Sequence, residues 1–136
     1  MTTDTKTRYI EAIGRRKTAT ARVRLTPNAK GTFMVNDKEL KDYFQTGDLQ
    51  AIALSAMANG AAEGEKFTVT VQVSGGGIHA QAEAVRHGIS RVLVERDENV
   101  KVALKKLGFL KRDSRAVERK KFGLKKARKA PTWSKR

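Results

Sequence analysis

A body of mixed α and β structure carrying a long basic tail is the fold class this sequence predicts, and three observations predict it. Apolar and polar residues alternate with a period of two over 19–26 and 67–74, the pattern of a half-buried strand. Apolar residues recur at helical spacing from Leu49 to Met57 and again from Ile78 to Leu93. The charge is segregated. Residues 105–136 hold fourteen Lys or Arg against only Asp113 and Glu118, a local net charge of +12 within a chain total of +15. The first twenty-four residues carry +5, and the eighty between carry −2. A near-neutral body with two basic ends is the layout of a scaffold that presents cationic arms to a polyanion, nucleic acid first among them.

The elements follow in order. A strand is expected from Arg8 to Ile13, broken at Gly14. The next strand, Ala19 to Thr26, sets Ala19, Ala21, Val23 and Leu25 on one face and Thr20, Arg22, Arg24 and Thr26 on the other. Pro27, Asn28 and Gly31 read as turn material leading to a short strand, Thr32 to Val35, which the spacing pairs with its predecessor as a hairpin. Asn36 and Asp37 read as helix-initiating residues for a helical turn over Lys38 to Phe44 that ends near Gly47. Asp48 caps a helix to about Ala58, with Leu49, Ile52, Ala53, Ala56 and Met57 as its apolar stripe. Gly60 and Gly64 bracket the turn before the strongest strand, where Phe67, Val69, Val71 and Val73 alternate with polar residues. Gly75 to Gly77 stop that strand.

A helix from Ile78 to about Glu95 places Ile78, Ala82, Val85, Ile89, Val92 and Leu93 on one side. Asp97 or Asn99 caps a last short helix with Val100, Ala103, Leu104 and Leu107 inward and Gly108 as its stop. The domain division is thus a body over 1–108 and a tail over 109–136. Residues 111–136 offer few large apolar side chains, chiefly Val117, Phe122, Leu124 and Trp133, to offset the entropy of ordering them. An extended tail that orders on its partner is expected, with Arg forks for phosphate and Phe109, Phe122 and Trp133 as stacking surfaces.

Several other chemistries are disfavoured. Zero cysteines rule out disulfide frameworks and thiolate zinc sites, and the simplest location is the cytosol. No apolar run approaches the roughly 20 residues that span a bilayer, and the opening residues carry neither a signal-peptide core nor a transit-peptide pattern. A solubilising or targeting tail would leave the second basic element, Arg22 and Arg24, without a role, and membrane binding lacks a broad apolar helix face. The glycine triplet lacks the Gly-Lys-Ser/Thr ending of a phosphate loop and reads as a tight turn. His79 and His87 lack recognisable metal-ligand partners, and their spacings to Glu83 read as solvated surface pairs. No serine carries the flanks of an activated nucleophile, so neither an enzyme nor a cofactor is expected. A free-standing DNA-compacting protein is the competing reading, disfavoured by the want of a recognition-helix signature.

Three blocks in order then carry a resemblance: YIEAIGRRKTATARVRL from Tyr9 to Leu25, VSGGGIHAQAEAVRHGISRVLVE from Val73 to Glu95, and LGFLKRDSRAVERKKFGLKKARKAPTWSKR at the end. Together they resemble the universal family of the ninth small-ribosomal-subunit protein, in its bacterial form. The resemblance implies an α+β fold: a mixed, roughly four-stranded sheet with helices packed on one side, like the second domain of the fifth small-subunit protein, plus a C-terminal extension threading the subunit head. It implies no cofactor, no membrane, and a cytoplasmic place in the ribosome beside neighbouring head proteins. The implied ligand is the 3′ major domain of 16S-type small-subunit ribosomal RNA. Its implied contacts are Arg15, Arg16, Lys17, Arg22, Arg24, Lys111, Arg112, Arg115, Arg119, Lys120, Lys121, Lys125, Lys126, Arg128 and Lys129, with Phe122 and Trp133 stacking. Lys135 and Arg136 are implied to reach the anticodon stem-loop of P-site transfer RNA. Ala80, Ser114 and Thr132-Trp133 depart from the family's usual Gly, Pro and Gln followed by Tyr or Phe, but none removes a charge.

Overall fold

The two alternating runs lie side by side at the heart of one sheet. A computed structural model of the chain describes residues 9–27, 30–60 and 65–135. Its strands are β1 (Ile10–Arg16), β2 (Ala19–Pro27), β3 (Phe33–Val35), β4 (Lys38–Glu39) and β5 (Phe67–Ser74). Its helices are α1 (Leu40–Tyr43), α2 (Gly47–Gly60), α3 (Ile78–Arg96) and α4 (Lys101–Lys106), with a 3-10 turn, Glu98–Val100, before the last. The sheet order is β1-β2-β5-β3-β4, with β1 and β5 antiparallel to β2 and β3 parallel to β5.

The fold class is as expected, with five strands rather than four and helices on one face. Three local expectations are corrected. β2 and β3 do not form a hairpin: β2 spends both edges on β1 and β5, so β3 pairs with the far side of β5, Met34 opposite Thr70. Asn36 and Asp37 do not start a helix. Their φ angles of 48° and 65° make a two-residue turn between β3 and β4, the left-handed pair that such hairpin loops require and that Asn and Asp tolerate. Asn36 then ties this turn to the sheet, its amide donating to the Val73 carbonyl and accepting from the Val73 N–H, both at 2.9 Å. Gly14 does not break β1 but lies within it. Arg8, Asn28 and Gly64, three other sequence landmarks, lie outside the described residues.

The core lies between the sheet and the helices. Ala19, Ala21, Val23 and Leu25 of β2 and Phe67, Val69, Val71 and Val73 of β5 face Ala82, Ala84, Val85, Ile89, Val92 and Leu93 of α3. α2 contributes Ala53 and Ala56, and Leu104 of α4 is fully buried. The helix stripes overreach at their ends: Ile78 and Leu107 are exposed because no layer extends to cover them, and Ala103 also faces out. Among the described residues, no helix is long and apolar enough to cross a membrane.

α3 reaches the sheet at backbone distance. A Cβ on Gly14 would stand 1.9 Å from the Ala84 carbonyl oxygen, and one on Gly88 would stand 2.6 Å from Val23 Cγ2 and 3.2 Å from the Gly14 nitrogen. Two glycines therefore face each other where strand and helix touch. Beside the turn between β1 and β2, Gly75 and Gly76 turn the chain from β5 toward α3 with φ of 75° and 65°, and this accounts for the triplet as a turn. Gly14→Ala is expected to cost about 3 kcal/mol or more, since the obstructing atoms are backbone. Gly47→Ala, with nothing within 4 Å of its Cβ, is expected to stay within about 0.5 kcal/mol of the native chain, as read from urea unfolding midpoints.

Candidate nucleic-acid interface

Beyond α4 the described chain forms no helix or strand up to Lys135. Phe109 and Leu110 are half-buried against the core, so the segment leaves from a fixed point. Phe109 is thereby occupied: the Arg86 guanidinium lies 4.9 Å over its ring. Phe122 and Trp133 are 96% and 81% exposed, as stacking surfaces must be. The cations Lys111, Arg112, Lys120, Lys125, Lys126 and Lys129 make no ion pair among the described residues. The Arg119 Nη1 donates to the neighbouring Lys120 carbonyl at 3.3 Å. Glu118 gathers Lys121 and Arg128, the latter at 2.9 Å, and the Lys125 N–H donates to the Lys129 carbonyl at 2.8 Å, so 118–129 folds back into a loop. Lys135 is exposed, and Arg136 lies outside the described residues.

The N-terminal basic block divides. Arg15 and Lys17 are exposed beside the two-residue turn between β1 and β2. Arg16 is turned inward, its side chain only 11% exposed. Its Nε donates to Glu83 Oε2 at 2.8 Å, its Nη1 to the Arg115 carbonyl at 2.6 Å, and its Nη2 lies 3.4 Å from Asp113 Oδ2. Arg115 in turn donates from its side chain and its backbone N–H to Asp113, and these bonds hold the Asp113 carboxyl well below the usual carboxylate range. On the open face of the sheet, Glu11 meets Arg24 at 2.6 Å and Arg22 at 3.8 Å, which halves the charge that these two arginines present. Arg24 also stacks 4.8 Å over Tyr9.

Two participants escape a reading of sequence alone. Glu83 holds Arg16, in addition to its 3.8 Å approach to His79, so it is more than a surface pair. Arg86, one helical turn on, faces the root of the tail with Lys111 and Arg112. The available signal was Asp113, an acid in an otherwise cationic run that must be spent on a neighbour or else weaken the run's attraction for a polyanion.

His87 joins the same corner. Its Nδ1 accepts the Arg15 N–H at 3.2 Å, which requires the ring to be neutral at that nitrogen. Burial lowers its pKa from the ordinary 6.5, the charge of Arg91 lowers it further, a hydrogen bond with the Leu110 backbone opposes this, and Arg112 and Arg86 add to the lowering. A histidine whose folded pKa lies below its unfolded one contributes no penalty above the unfolded value. It destabilises as pH falls from there toward the folded value, because only the unfolded chain takes up the proton. Unfolding free energy is therefore expected to drop as pH falls through the ordinary 6.5 toward the lowered folded value, and His87→Gln to flatten that part of the profile in urea titrations.

What this surface can do chemically is neutralise and position a polyanion. Its donors are Arg forks and Lys ammoniums on a chain without regular structure, and that chemistry holds phosphates without reading base edges. The chain matches a known family over residues 14–136, a span that takes in the end of β1, all later elements and the entire cationic segment. The family is described as Ribosomal protein S9/S16. The chain belongs to the ribosomal protein S9/S16 family.

Proposed function

We propose that this chain is the S9-type protein of a bacterial small ribosomal subunit, a structural component of the subunit head that binds ribosomal RNA without turnover. The observation that carries the reading is the run of exposed cations from Lys111 to Lys129 on a backbone without helix or strand, in a chain of this family. Its ligand is the 3′ major domain of 16S-type ribosomal RNA, gripped by the tail and by Arg15 and Lys17 at the turn between β1 and β2. Neighbouring head proteins complete its surroundings in the cytoplasmic particle. The division of labour follows: the body over 1–108 fixes the origin of the tail, and 109–136 binds.

Lys135 and Arg136 form the tip offered to the anticodon stem-loop of P-site transfer RNA. Two cations at the end of an open segment neutralise phosphates whatever the sequence of the bound transfer RNA, which suits a site that every elongator must pass. Phe122 and Trp133 add sequence-tolerant stacking, worth about 1–3 kcal/mol per base where a base is free to meet them.

With eight to twelve phosphates neutralised, log affinity for the ribosomal RNA is expected to fall with log salt at a slope of about 6 to 10. A slope near 2 in filter-binding titrations would leave the tail without its assigned role. Deleting Lys135 and Arg136 is expected to leave incorporation into the subunit intact and to weaken P-site transfer RNA binding to the particle. Unchanged transfer RNA affinity in the truncated particle would remove the tip from that site.

A further inference from the structure

An acid at the start of a strongly cationic segment opposes the attraction of that segment for RNA, so simple charge counting assigns Asp113 a cost. Its surroundings assign it something else. One guanidinium, that of Arg16 at the end of β1, holds the Glu83 carboxylate of α3 at 2.8 Å, the Arg115 carbonyl at 2.6 Å and the Asp113 carboxylate at 3.4 Å. Strand, helix and tail root are tied at a single largely buried side chain. Asp113 closes the knot from the tail side by accepting from Arg115 Nη2 at 2.9 Å and from the Arg115 backbone N–H at 3.0 Å.

Beside the knot lies a groove of about 390 Å³ between α3 and the tail root, lined by Arg86, Gly108, Lys111, Arg112, Asp113 and Ser114. A water takes about 30 Å³ in the liquid, so the groove has room for a phosphate group and several waters. Three of its six residues are cationic, and Arg86 is steadied by its place over Phe109. The one carboxylate in the lining is already shared by Arg115 and Arg16, so it does not stand bare before an incoming anion.

We propose that Asp113 is a positioning residue for RNA binding: clamped by Arg16, it holds Lys111 and Arg112 beside Arg86 around a groove that seats an RNA phosphate. The proposal rests on the RNA-binding reading above. Its physical content is preorganisation. Two cations on a chain without regular structure must otherwise be ordered when RNA binds, and a clamp set during folding removes that cost from the binding step.

The test inverts the sign that charge alone predicts. The probe is a ribosomal RNA fragment spanning the 3′ major domain, titrated with the full chain over a range of salt. Asp113→Asn raises the net charge by one and is expected to weaken binding about three- to tenfold. Glu118→Gln, which makes the same change of charge at an acid paired with Lys121 and Arg128 rather than with Arg16, is the comparison and is expected to bind no more weakly than the native chain. Asp113→Asn binding as tightly as the native chain, or more tightly, overturns the clamp. In an Arg16→Gln background the loss from Asp113→Asn is expected to shrink, and an equal loss in both backgrounds also overturns it. Arg86→Gln is expected to lower the salt slope by about 0.7 to 0.9, one phosphate's share. An unchanged slope places the phosphate outside the groove. A native chain without salt-dependent affinity for the fragment would defeat the RNA-binding reading itself, a result distinct from any ratio between variants.

Discussion

The approach of α3 to β1 at Gly14 and Gly88 is the constraint on which the remaining geometry depends. With no Cβ on either side, helix backbone meets strand backbone directly, and short side-chain reaches become possible along that whole line. The Arg15 N–H meets His87, Arg16 meets Glu83, and the Arg91 guanidinium donates to the Ile13 carbonyl at 2.6 Å. A single methyl inserted between the two elements would lengthen all three at once. Because the tail leaves from the same corner, through Phe109 and Leu110, the spacing of two glycines also sets where the cationic segment begins.

Charge in this protein is less free than its total suggests. Glu11 offsets Arg22 and Arg24, Glu83 and Asp113 engage Arg16, and Glu118 holds Lys121 and Arg128. The acids near the basic segments are concentrated on particular arginines and lysines, leaving others such as Lys111, Arg112 and Lys120 without an ion-pair partner among the described residues. Counting cations identifies the class of partner. Which cations meet that partner depends on which are already engaged.

That distinction marks how far the sequence could be read. β2, β5 and α3 were legible because each buries one face over seven or more residues, long enough for a period to declare itself. β4 was not, since two residues carry no period, and Asn36-Asp37 was misread because the same residue types that cap helices also supply left-handed turns. The β2–β3 hairpin failed because proximity in sequence is only a prior for pairing, and β5 intervenes. At the candidate interface, the cationic run and its exposed aromatics could be seen directly. The inward turn of Arg16 could not, because its partners lie 67 and 99 positions away.

The central place of β5 bears on how the chain comes to be folded at all. β2 pairs with β5 between residues such as Thr20 and Ser74, and β3 docks on its other edge, so the strands made first stay in two unjoined pieces until Phe67–Ser74 has been synthesised. A lone two-stranded hairpin is at best marginally stable in water, and pairings distant in sequence form slowly. Chains are made at about 5–20 residues per second and domains fold as units during synthesis, so the roughly sixty residues after β5 give the sheet seconds in which to close. The cationic segment is made after that interval begins. Nascent body and nascent polyanion-binding arm are thus separated in time by the order of strands in the sheet.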